Sequence, residues 1–436
     1  MQSPIPDYLT EVLEGCAPDT SGATADYIPE LAAAEPDLFG IAMSTVDGTV
    51  YGAGDIDVEF TIQSISKPFI YALAIEDLGL DTVLHKVGVE PSGEAFNELS
   101  LEASSGRPLN PMINAGAITA HTLVGGDGTC EKARLKRIID GLSAFAGRKL
   151  AVDESVFRSE MDTAHRNLAI AHMLRSHKIL EQDPMEVVRG YTWQCSVNVT
   201  ATDIAVMAAT LANGGIQPIT GERIITPGVV RQVLSVMTTC GMYDAAGDWV
   251  TTVGIPAKSG VAGGIIGALP GQVGVAAFSP RLDKHGNSVR GVKACERLSR
   301  DMGLHLMEVA PPARAVIRDA AKVQSVNGVQ INVYELQGSI QFAGAERIIR
   351  VLADHSPNET NVAFDLTRVH MVNDVARRML LEAVRRLTLD RHRVTLIDPE
   401  SVLEDPDAGD GIRPQVVASI NEIFQHGAVN DPEHGG

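Results

Sequence analysis

Residues 60–79 read FTIQSISKPFIYALAIEDLG, and this stretch decides the fold expected for the first part of the chain. Ser64 and Lys67 are three residues apart at the start of a predicted helix, so their side chains share one helix face. Pro68 fits only the first turn of such a helix. A lysine buried by the following apolar run would lose basicity and could activate the serine hydroxyl. A serine cap followed by a half-exposed lysine is the alternative interpretation, because an S-x-x-K string alone is common.

A second stretch supports the catalytic interpretation. Residues 254–264, GIPAKSGVAGG, carry a Lys-Ser-Gly string at 258–260. Penicillin-binding proteins and β-lactamases with an active-site serine pair S-x-x-K with K-T-G on a sheet edge. A backbone N–H just beyond the glycine, here that of Val261, could complete an oxyanion hole with the N–H of Ser64. A glycine-rich turn before a strand is the structural alternative. The sequence contains no G-x-S-x-G, H-E-x-x-H or Walker-type loop, which disfavours other hydrolases and nucleotide enzymes.

The composition excludes several classes of protein. The 436 residues, of which 44% are hydrophobic, are enough for two or three domains with sizeable cores. The net charge of -19 disfavours nucleic acids and anionic membranes as partners, because like charges repel. The five cysteines form no C-x-x-C pair, which disfavours a zinc ribbon or a disulfide framework. The N-terminal sequence resembles no secretory signal, and no apolar run is long enough to span a membrane, so we expect a cytoplasmic protein.

Local patterns predict an α+β domain over residues 1–310. Residues 38–55, LFGIAMSTVDGTVYGAGD, are typical of a β-hairpin that turns at an Asp-Gly pair. A helix-rich region follows from Ser64 to about residue 250. Residues 271–291, GQVGVAAFSPRLDKHGNSVRG, then predict a strand, a polar turn and a second strand. Strands at both ends with helices between them indicate one sheet built from distant segments.

The pattern changes after about residue 311. Residues 310–325, APPARAVIRDAAKVQS, predict a linker that contains a charged, helix-prone stretch. Strands and helices then alternate over residues 326–425, which predicts a separate α/β domain. The predicted strands are VQINVYELQGSI, NVAFDLTRV and RVTLID, and the predicted helices are GAERIIRVLADHS and VARRMLLEAVRRLTLD. The tail at 430–436 is expected to fray.

Eight ordered blocks between about residues 25 and 305 closely resemble the bacterial serine-dependent glutaminase family. The blocks are QSISKPF, VGVEPSGEAFN, NPMINAGAI, Ser159-Glu160 with Arg166-Asn167, YTWQCS, CGMYDAAG, GIPAKSGVAGGI and LDKHGNSVRG. The resemblance implies a β-lactamase-like fold, with an antiparallel sheet and a helical subdomain. It also implies hydrolysis of L-glutamine to L-glutamate and ammonia.

The same resemblance implies a role for each matched residue. Ser64 is then the acyl-accepting nucleophile, Lys67 its general base, and Tyr191 a third catalytic residue. Tyr191 and Tyr243 are the two candidates for passing a proton to the leaving ammonia. The implied substrate contacts are Ser64, Asn114, Glu160, Asn167, Tyr191, Tyr243, and Val261 through its backbone.

These roles agree with the chemistry of the side chains. A carboxylate at Glu160 can pair with the α-ammonium of glutamine, and asparagine amides can both donate and accept. Taken singly, Glu160 also fits a solvated helix carboxylate and Asn167 a turn cap, and the two tyrosines fit core residues. Cys195 and Cys240 are expected to be small buried packing residues. No metal and no cofactor are expected, because the sequence shows no His/Asp/Glu cluster with metal-ligand spacing.

Residues 326–425 resemble the STAS domain, the module of anti-anti-sigma factors and sulfate transporter tails. The phosphorylatable serine of its signalling members corresponds here to Asp374, which follows Asn373. An acidic side chain at that point fits a helix cap or first-turn carboxylate, with a permanent mimic of the phosphorylated state as the alternative. A protein, a nucleotide or a second copy of the domain is the expected partner.

Two other functions stay open on these residues: a penicillin-recognising serine hydrolase, and a non-enzymatic STAS protein that senses glutamine. The preferred hypothesis is a glutaminase that binds L-glutamine, assembles as a homo-oligomer (dimer or tetramer), and binds neither nucleic acid nor membrane.

Overall fold

The computed structural model describes residues 5–93, 98, 100–308, 316–324, 330–355, 357 and 359–426. The chain forms two compact units, Met1–Glu308 and Val309–Gly436. The Pro-Pro linker, the tail at 430–436 and part of the block VGVEPSGEAFN lie outside the described residues. No helix within the described ranges is long and apolar enough to cross a membrane.

The first unit contains two antiparallel sheets among its described residues. The strands are β1 Gly40–Thr45, β2 Val50–Gly54, β3 Phe60–Thr61, β4 Ala151–Val152, β5 Val197–Val199, β6 Ala257–Ser259, β7 Gly264–Leu269 and β8 Val273–Phe278. The large sheet has the order β2-β1-β8-β7-β6, and the small sheet has the order β3-β5-β4. The large sheet therefore joins the beginning of the unit to its end, as the sequence predicted.

Helices make up most of the remainder of this unit. They are α1 Ile5–Cys16, α2 Pro29–Ala32, α3 Ser66–Leu78, α4 Leu80–Lys86, α5 Asn114–Leu123, α6 Glu131–Ala146, α7 Glu154–Asp162, α8 His165–Ser176, α9 Pro184–Cys195, α10 Ala201–Ala212, α11 Pro227–Cys240, α12 Ala246–Thr252 and α13 Val289–Met302. Single 3₁₀ turns at Gln63–Ile65 and Tyr243–Ala245 precede α3 and α12. The mixed α+β architecture expected from the sequence is confirmed.

Helices cover both faces of the large sheet. Helix α10 packs on one face, and α1 and α13 pack on the other. A Cβ atom at Gly274 on β8 would lie 2.4 Å from the carbonyl oxygen of Ala205, so only glycine allows α10 to approach this closely. Helix α3 runs through the larger core, and every residue from Ser66 to Ile75 is buried. A helix segment that is buried all round needs no amphipathic stripe, which explains the unbroken apolar run from Pro68 to Ile75.

The two hairpin predictions had different outcomes. Strands β1 and β2 pair antiparallel, and Gly48 supplies the positive φ of the turn between them. For residues 271–291 a strand, a turn and a second strand were predicted. The first strand forms as β8, but the predicted second strand is wrong, because the chain begins helix α13 there. Ser288 caps α13 by accepting a hydrogen bond from the N–H of Gly291. This N-cap stabilises the beginning of a helix in a segment whose residue pattern is typical of a strand.

The second unit alternates strands and helices around one sheet. Its strands are β9 Ile317–Gln324, β10 Gln330–Ile340, β11 Asn361–Val372, β12 Arg393–Ile397 and β13 Gln415–Val417, and its helices are α14 Phe342–Asp354, α15 Asp374–Leu389 and α16 Ile420–His426. In the described part of this unit the strand order is β13-β12-β11-β10-β9, with parallel pairing except between β9 and β10. Apolar residues of α14 and α15 cover one face and those of α16 the other.

One prediction in this unit is wrong. Residues Ile317–Gln324 were expected to be part of a helix-prone linker, but they form strand β9, which pairs antiparallel with β10. Most of their side chains are exposed. The hydrogen bonds to β10 therefore outweigh the local helix preference, and the charged residues suit a sheet edge.

Candidate active site

The turn that carries Ser64 has a strained backbone. It follows β3 and runs directly into α3, so Ser64 lies in the 3₁₀ turn two residues before the helix begins. Gln63 has a φ of 47°, a left-handed conformation that is uncommon for a residue with a side chain. The hydroxyl of Ser66 donates to the carbonyl oxygen of Gln63 at 2.7 Å and stabilises this turn. Pro68 lies in the first turn of α3, as predicted.

Lys67 is buried beneath this turn. Its side chain is 1% exposed, and its Nζ donates to the carbonyl oxygen of Met112 at 3.1 Å and to Oδ1 of Asn114 at 2.8 Å. Burial lowers the pKa of Lys67 to about 7, because a charged amine is poorly solvated there. The alternative of a half-exposed surface lysine is therefore wrong.

The loop before α5 fixes the position of Asn114. Oδ1 of Asn110 accepts hydrogen bonds from the N–H groups of Met112 at 3.0 Å and Ile113 at 3.2 Å. A Cβ atom at Gly116 would lie 1.9 Å from the carbonyl oxygen of Asn110. The first turn of α5 can therefore approach the preceding loop this closely only with glycine at this position. Asn114, the first residue of α5, thus meets Lys67 with its Oδ1.

Three elements meet around Glu160, which lies on α7. Its Oε1 accepts from the hydroxyl of Tyr27 at 2.8 Å and from Nε2 of Gln63 at 3.1 Å. Burial raises the pKa of Glu160, and these two hydrogen bonds oppose the rise. On the neighbouring side, Oδ1 of Asn167 accepts from Nδ2 of Asn114 at 3.0 Å.

Tyr27 and Gln63 are site residues that the sequence did not reveal. Gln63 directly precedes Ser64 inside the block QSISKPF, so its position was a usable signal. Tyr27 lies in an irregular stretch before α2 and has no local pattern around it. Its ring is partly exposed while its hydroxyl reaches Glu160, which makes it part of the site wall.

The two candidate tyrosines occupy different places. The hydroxyl of Tyr191 donates to Oδ1 of Asn114 at 3.4 Å. The hydroxyl of Tyr243 is hydrogen-bonded to the side chain of Ser64 and donates to the carbonyl oxygen of Ser259 at 3.2 Å. Burial raises the pKa of Tyr243 to about 12, and the contact with Ser64 opposes the rise. Burial also raises the pKa of Tyr191 well above its ordinary value.

These groups surround a cavity of about 290 Å³. It is lined by Tyr27, Gln63, Ser64, Asn114, Glu160, Thr163, Ala164, Arg166, Asn167, Tyr191, Thr192, Cys195 and Val261. Lys67 contacts Asn114 and Tyr243 contacts Ser64, so each residue that the resemblance assigned to the site lines this cavity or contacts a residue that does. Within the described part of the chain, the N–H of Val261 donates no hydrogen bond to a protein group.

Two further observations concern the chemistry of the cavity. Burial raises the pKa of the Cys195 thiol to about 12, so this thiol is neutral and a poor nucleophile, in agreement with a packing role. The described residues contain no group of three or more His, Cys, Asp or Glu side chains arranged to hold a metal ion.

Comparisons with known proteins agree on one family. A family model described as Glutaminase matches residues 22–307. The glutaminase of Corynebacterium efficiens is 50% identical over 414 residues, covering 95% of this chain and 97% of that protein. The glutaminase of Corynebacterium glutamicum is 48% identical over 408 residues, covering 94% of this chain and 97% of that protein. A crystal structure of Mglu in its glutamate form has a TM-score of 0.83 and 47% identity, and covers 92% of this chain and 100% of that one. With the S-x-x-K serine, the buried lysine and the cavity in place, these matches show that the chain belongs to the glutaminase family.

Proposed function

We propose that Ser64 is the nucleophile with which this glutaminase hydrolyses L-glutamine to L-glutamate and ammonia. The observation that carries this proposal is the complete burial of Lys67, three residues after Ser64, with a pKa of about 7. A lysine amine that is unprotonated near neutral pH can accept the hydroxyl proton of a serine. An ordinary lysine would be protonated at that pH and could not.

The first half of the reaction forms an acyl-enzyme. The Lys67 amine accepts the proton of Ser64 Oγ while Oγ bonds to the side-chain amide carbon of glutamine. The negative charge that develops on the amide oxygen is stabilised by the backbone N–H of Val261 and that of Ser64. The N–H of Val261 suits this role because it has no other acceptor among the described residues. The carbon–nitrogen bond then breaks, and the nitrogen leaves as ammonia after it receives a proton.

We assign that proton transfer to Tyr243. Its hydroxyl is hydrogen-bonded to Ser64, whereas the hydroxyl of Tyr191 reaches Asn114. Tyr243 gives its proton to the leaving nitrogen and recovers one from the water that attacks the ester. Protonated Lys67 returns its proton to Oγ as glutamate leaves, which closes the cycle. Tyr191, for which the resemblance implied a catalytic role, then contacts the substrate in the cavity.

The far end of glutamine is bound by charge and by amides. Glu160 carries the carboxylate suited to the α-ammonium, and its hydrogen bonds from Tyr27 and Gln63 orient it. Asn114 and Asn167 are joined through one amide hydrogen bond, and both line the cavity, where their amides suit the polar groups of the substrate. The solved relative named as the glutamate form of Mglu supports a cavity that accepts the product.

The test compares Ser64→Ala with Ser176→Ala, a matched serine change on the exposed surface of α8. Ser64→Ala is expected to reduce ammonia release by several orders of magnitude, because the attacking group is lost, while Ser176→Ala keeps full activity. Mass spectrometry of the quenched wild-type enzyme is expected to find a glutamyl group on the peptide that contains Ser64. Turnover by Ser64→Ala above a few per cent of wild type would exclude the acyl-enzyme.

The division of the chain is also part of the proposal. Residues 1–310 form the β-lactamase-like glutaminase domain, and residues 326–425 form a STAS domain. The antiparallel sheet with its helical region supports the first assignment, and the parallel sheet with α14 and α15 on one face supports the second. Asp374 starts α15 after the Asn373 cap, which supports a plain first-turn carboxylate over a phosphoserine mimic. Light scattering of the full chain and of residues 1–312 tests whether the STAS domain builds a homo-oligomer.

A further inference from the structure

A chain of three buried hydrogen bonds reaches the turn of Ser64 from two other helices. Ser66 gives its one hydroxyl proton to the carbonyl oxygen of Gln63 at 2.7 Å, so its oxygen accepts from Nε2 of Gln194 at 3.4 Å. The amide oxygen of Gln194 then faces Nδ1 of His121 at 2.7 Å, and the imidazole carries its proton on that nitrogen in order to donate it. The three hydrogen bonds thus run in one direction, from α5 through α9 to α3 and the turn.

The side chains of this network have almost no exposed surface. Ser66 and Gln194 are fully buried, His121 is 1% exposed and Gln63 is 5% exposed. A buried polar group that loses its partner keeps the cost of leaving water, so a satisfied network favours one arrangement of its members. Burial lowers the pKa of His121 to about 4, which keeps the imidazole neutral near neutral pH.

A glycine on α9 makes room for the imidazole. Gly190 lies in the middle of this helix, where glycine is less favourable than alanine. A Cβ atom at Gly190 would lie 2.4 Å from Nε2 of His121, so the ring occupies the space that a side chain would need. Gly190 and Gln194 are four residues apart and therefore share one face of α9. That face receives the imidazole and passes the hydrogen bond on to Ser66.

The network ends on the residue that gives the nucleophile turn its unusual shape. Gln63 has a φ of 47°, and such a backbone persists only where its surroundings hold it. The hydroxyl of Ser66 holds the carbonyl oxygen of Gln63, and Glu160 accepts from its side-chain amide. Ser64 follows directly, so the directions of its hydroxyl and of its backbone N–H depend on this conformation.

We propose that Gln194 is a positioning residue for the reaction. Oriented by His121, it fixes the hydroxyl of Ser66. That hydroxyl in turn holds the carbonyl oxygen of Gln63, and with it the turn that directs Ser64 toward the amide carbon of the substrate. This inference rests on the nucleophilic role proposed above for Ser64. The cavity lining includes no member of the network between His121 and Ser66, so the network acts on the rate of attack and not on the affinity for glutamine.

The first experiment measures kcat and KM for glutamine in Gln194→Met and Ser66→Ala, together with the inhibition constant of the product L-glutamate. Each substitution is expected to lower kcat by about 5- to 20-fold, the effect of one lost hydrogen bond that orients the nucleophile. KM and the inhibition constant are expected to stay within about twofold, because the cavity lining is unchanged.

Two matched variants separate positioning from stability. Gln232→Met removes an amide hydrogen bond to Tyr71, which lies on the same helix α3. Ser299→Ala removes a buried hydroxyl that donates to the carbonyl oxygen of Val253, away from the site. Both are expected to keep the wild-type kcat, whatever they do to thermal unfolding. A loss of kcat in a control of equal thermal stability would assign the network a purely structural role and overturn the proposal.

His121 supplies a second test that leaves the turn itself unaltered. His121→Asn retains an N–H near the position of the imidazole Nδ1 and is expected to keep kcat within about threefold of the wild-type value. His121→Leu offers no donor, so it is expected to lose as much kcat as Gln194→Met. Should Gln194→Met not fold, this pair decides, and equal activity of the two His121 variants would overturn the proposal.

A double-mutant cycle completes the test. If Gln194 acts through Ser66, Gln194→Met is expected to add little to the loss already caused by Ser66→Ala. Fully additive losses, an unchanged kcat in Gln194→Met, or a rise of KM and of the glutamate inhibition constant in proportion to the loss of kcat would each contradict the proposal. An active Ser64→Ala would instead refute the nucleophile, and this inference with it.

Discussion

Placing a carboxylate next to Lys67 is expected to move the pH dependence of glutamine hydrolysis to higher pH. The pKa of Lys67 is about 7 in place of the ordinary 10.5, a difference worth about 5 kcal/mol at about 1.4 kcal/mol per unit. About half of the enzyme therefore carries an unprotonated Lys67 at pH 7, against about one molecule in three thousand for an ordinary lysine. In the wild-type enzyme, kcat/KM is expected to rise with pH and to reach half of its plateau near pH 7.

Asn114→Asp supplies the perturbation, because Oδ1 of Asn114 lies 2.8 Å from Nζ of Lys67. An anion at that distance attracts the ammonium by about 6 kcal/mol at an effective dielectric constant of about 20, which is an upper bound. Opposite charges this close shift a pKa by about 1–3 units in proteins, so the midpoint is expected near pH 9. Asn167→Asp is the matched control, because Oδ1 of Asn167 accepts from Nδ2 of Asn114, one side chain further from Lys67. Its midpoint is expected to move by less than half as much.

The assay follows ammonia release from glutamine between pH 5 and 10 at substrate concentrations well below KM, and the position of the rise is compared among the three proteins. Because only the midpoint is used, a weaker affinity caused by either substitution does not affect the conclusion. A midpoint that stays at the wild-type value in Asn114→Asp, or that shifts equally in Asn167→Asp, would show that the titrating group is not Lys67.

Three other outcomes follow from the same structure. Lys67→Arg is expected to be nearly as inactive as Lys67→Ala, because arginine keeps its proton at any working pH; substantial turnover by the arginine variant would make Lys67 an electrostatic residue. Burial lowers the pKa of His121 from 6.5 to about 4 in the folded protein. As the pH falls, His121 is therefore protonated in the unfolded chain before it is protonated in the folded one. The free energy of unfolding is expected to fall by about 3 kcal/mol between pH 6.5 and 4. Urea unfolding of wild type and His121→Asn at both pH values measures this loss, and equal losses in the two proteins would contradict it. Residues 1–312 expressed alone are expected to hydrolyse glutamine at a rate comparable to the full chain, since every proposed site residue precedes position 309; a folded but inactive fragment would show that the second unit helps to build the site.

The sequence by itself determined the features that depend on neighbouring residues. Ser64 and Lys67 are three residues apart, so any helical backbone brings them to one face, and the Asp-Gly pair near residue 48 determined the first hairpin. The alternation of strands and helices after residue 326 also appears in the sequence, because each element has its own period of apolar residues. Ordered blocks of matching residues indicated the family before any geometry was known.

Only the tertiary structure decided which of these residues touch. Asn114 meets Lys67, Tyr27 meets Glu160, and Tyr243 rather than Tyr191 meets Ser64. Partners so far apart along the chain leave no periodic signal, because their contact depends on how whole helices and strands pack. The pKa of Lys67 was also decided by the tertiary structure, since burial by distant segments, and not the local sequence, removes the solvation of its amine. Strand β9 and the start of α13 were misread for a related reason: pairing with β10 and a side-chain cap outweighed the local preferences of those segments.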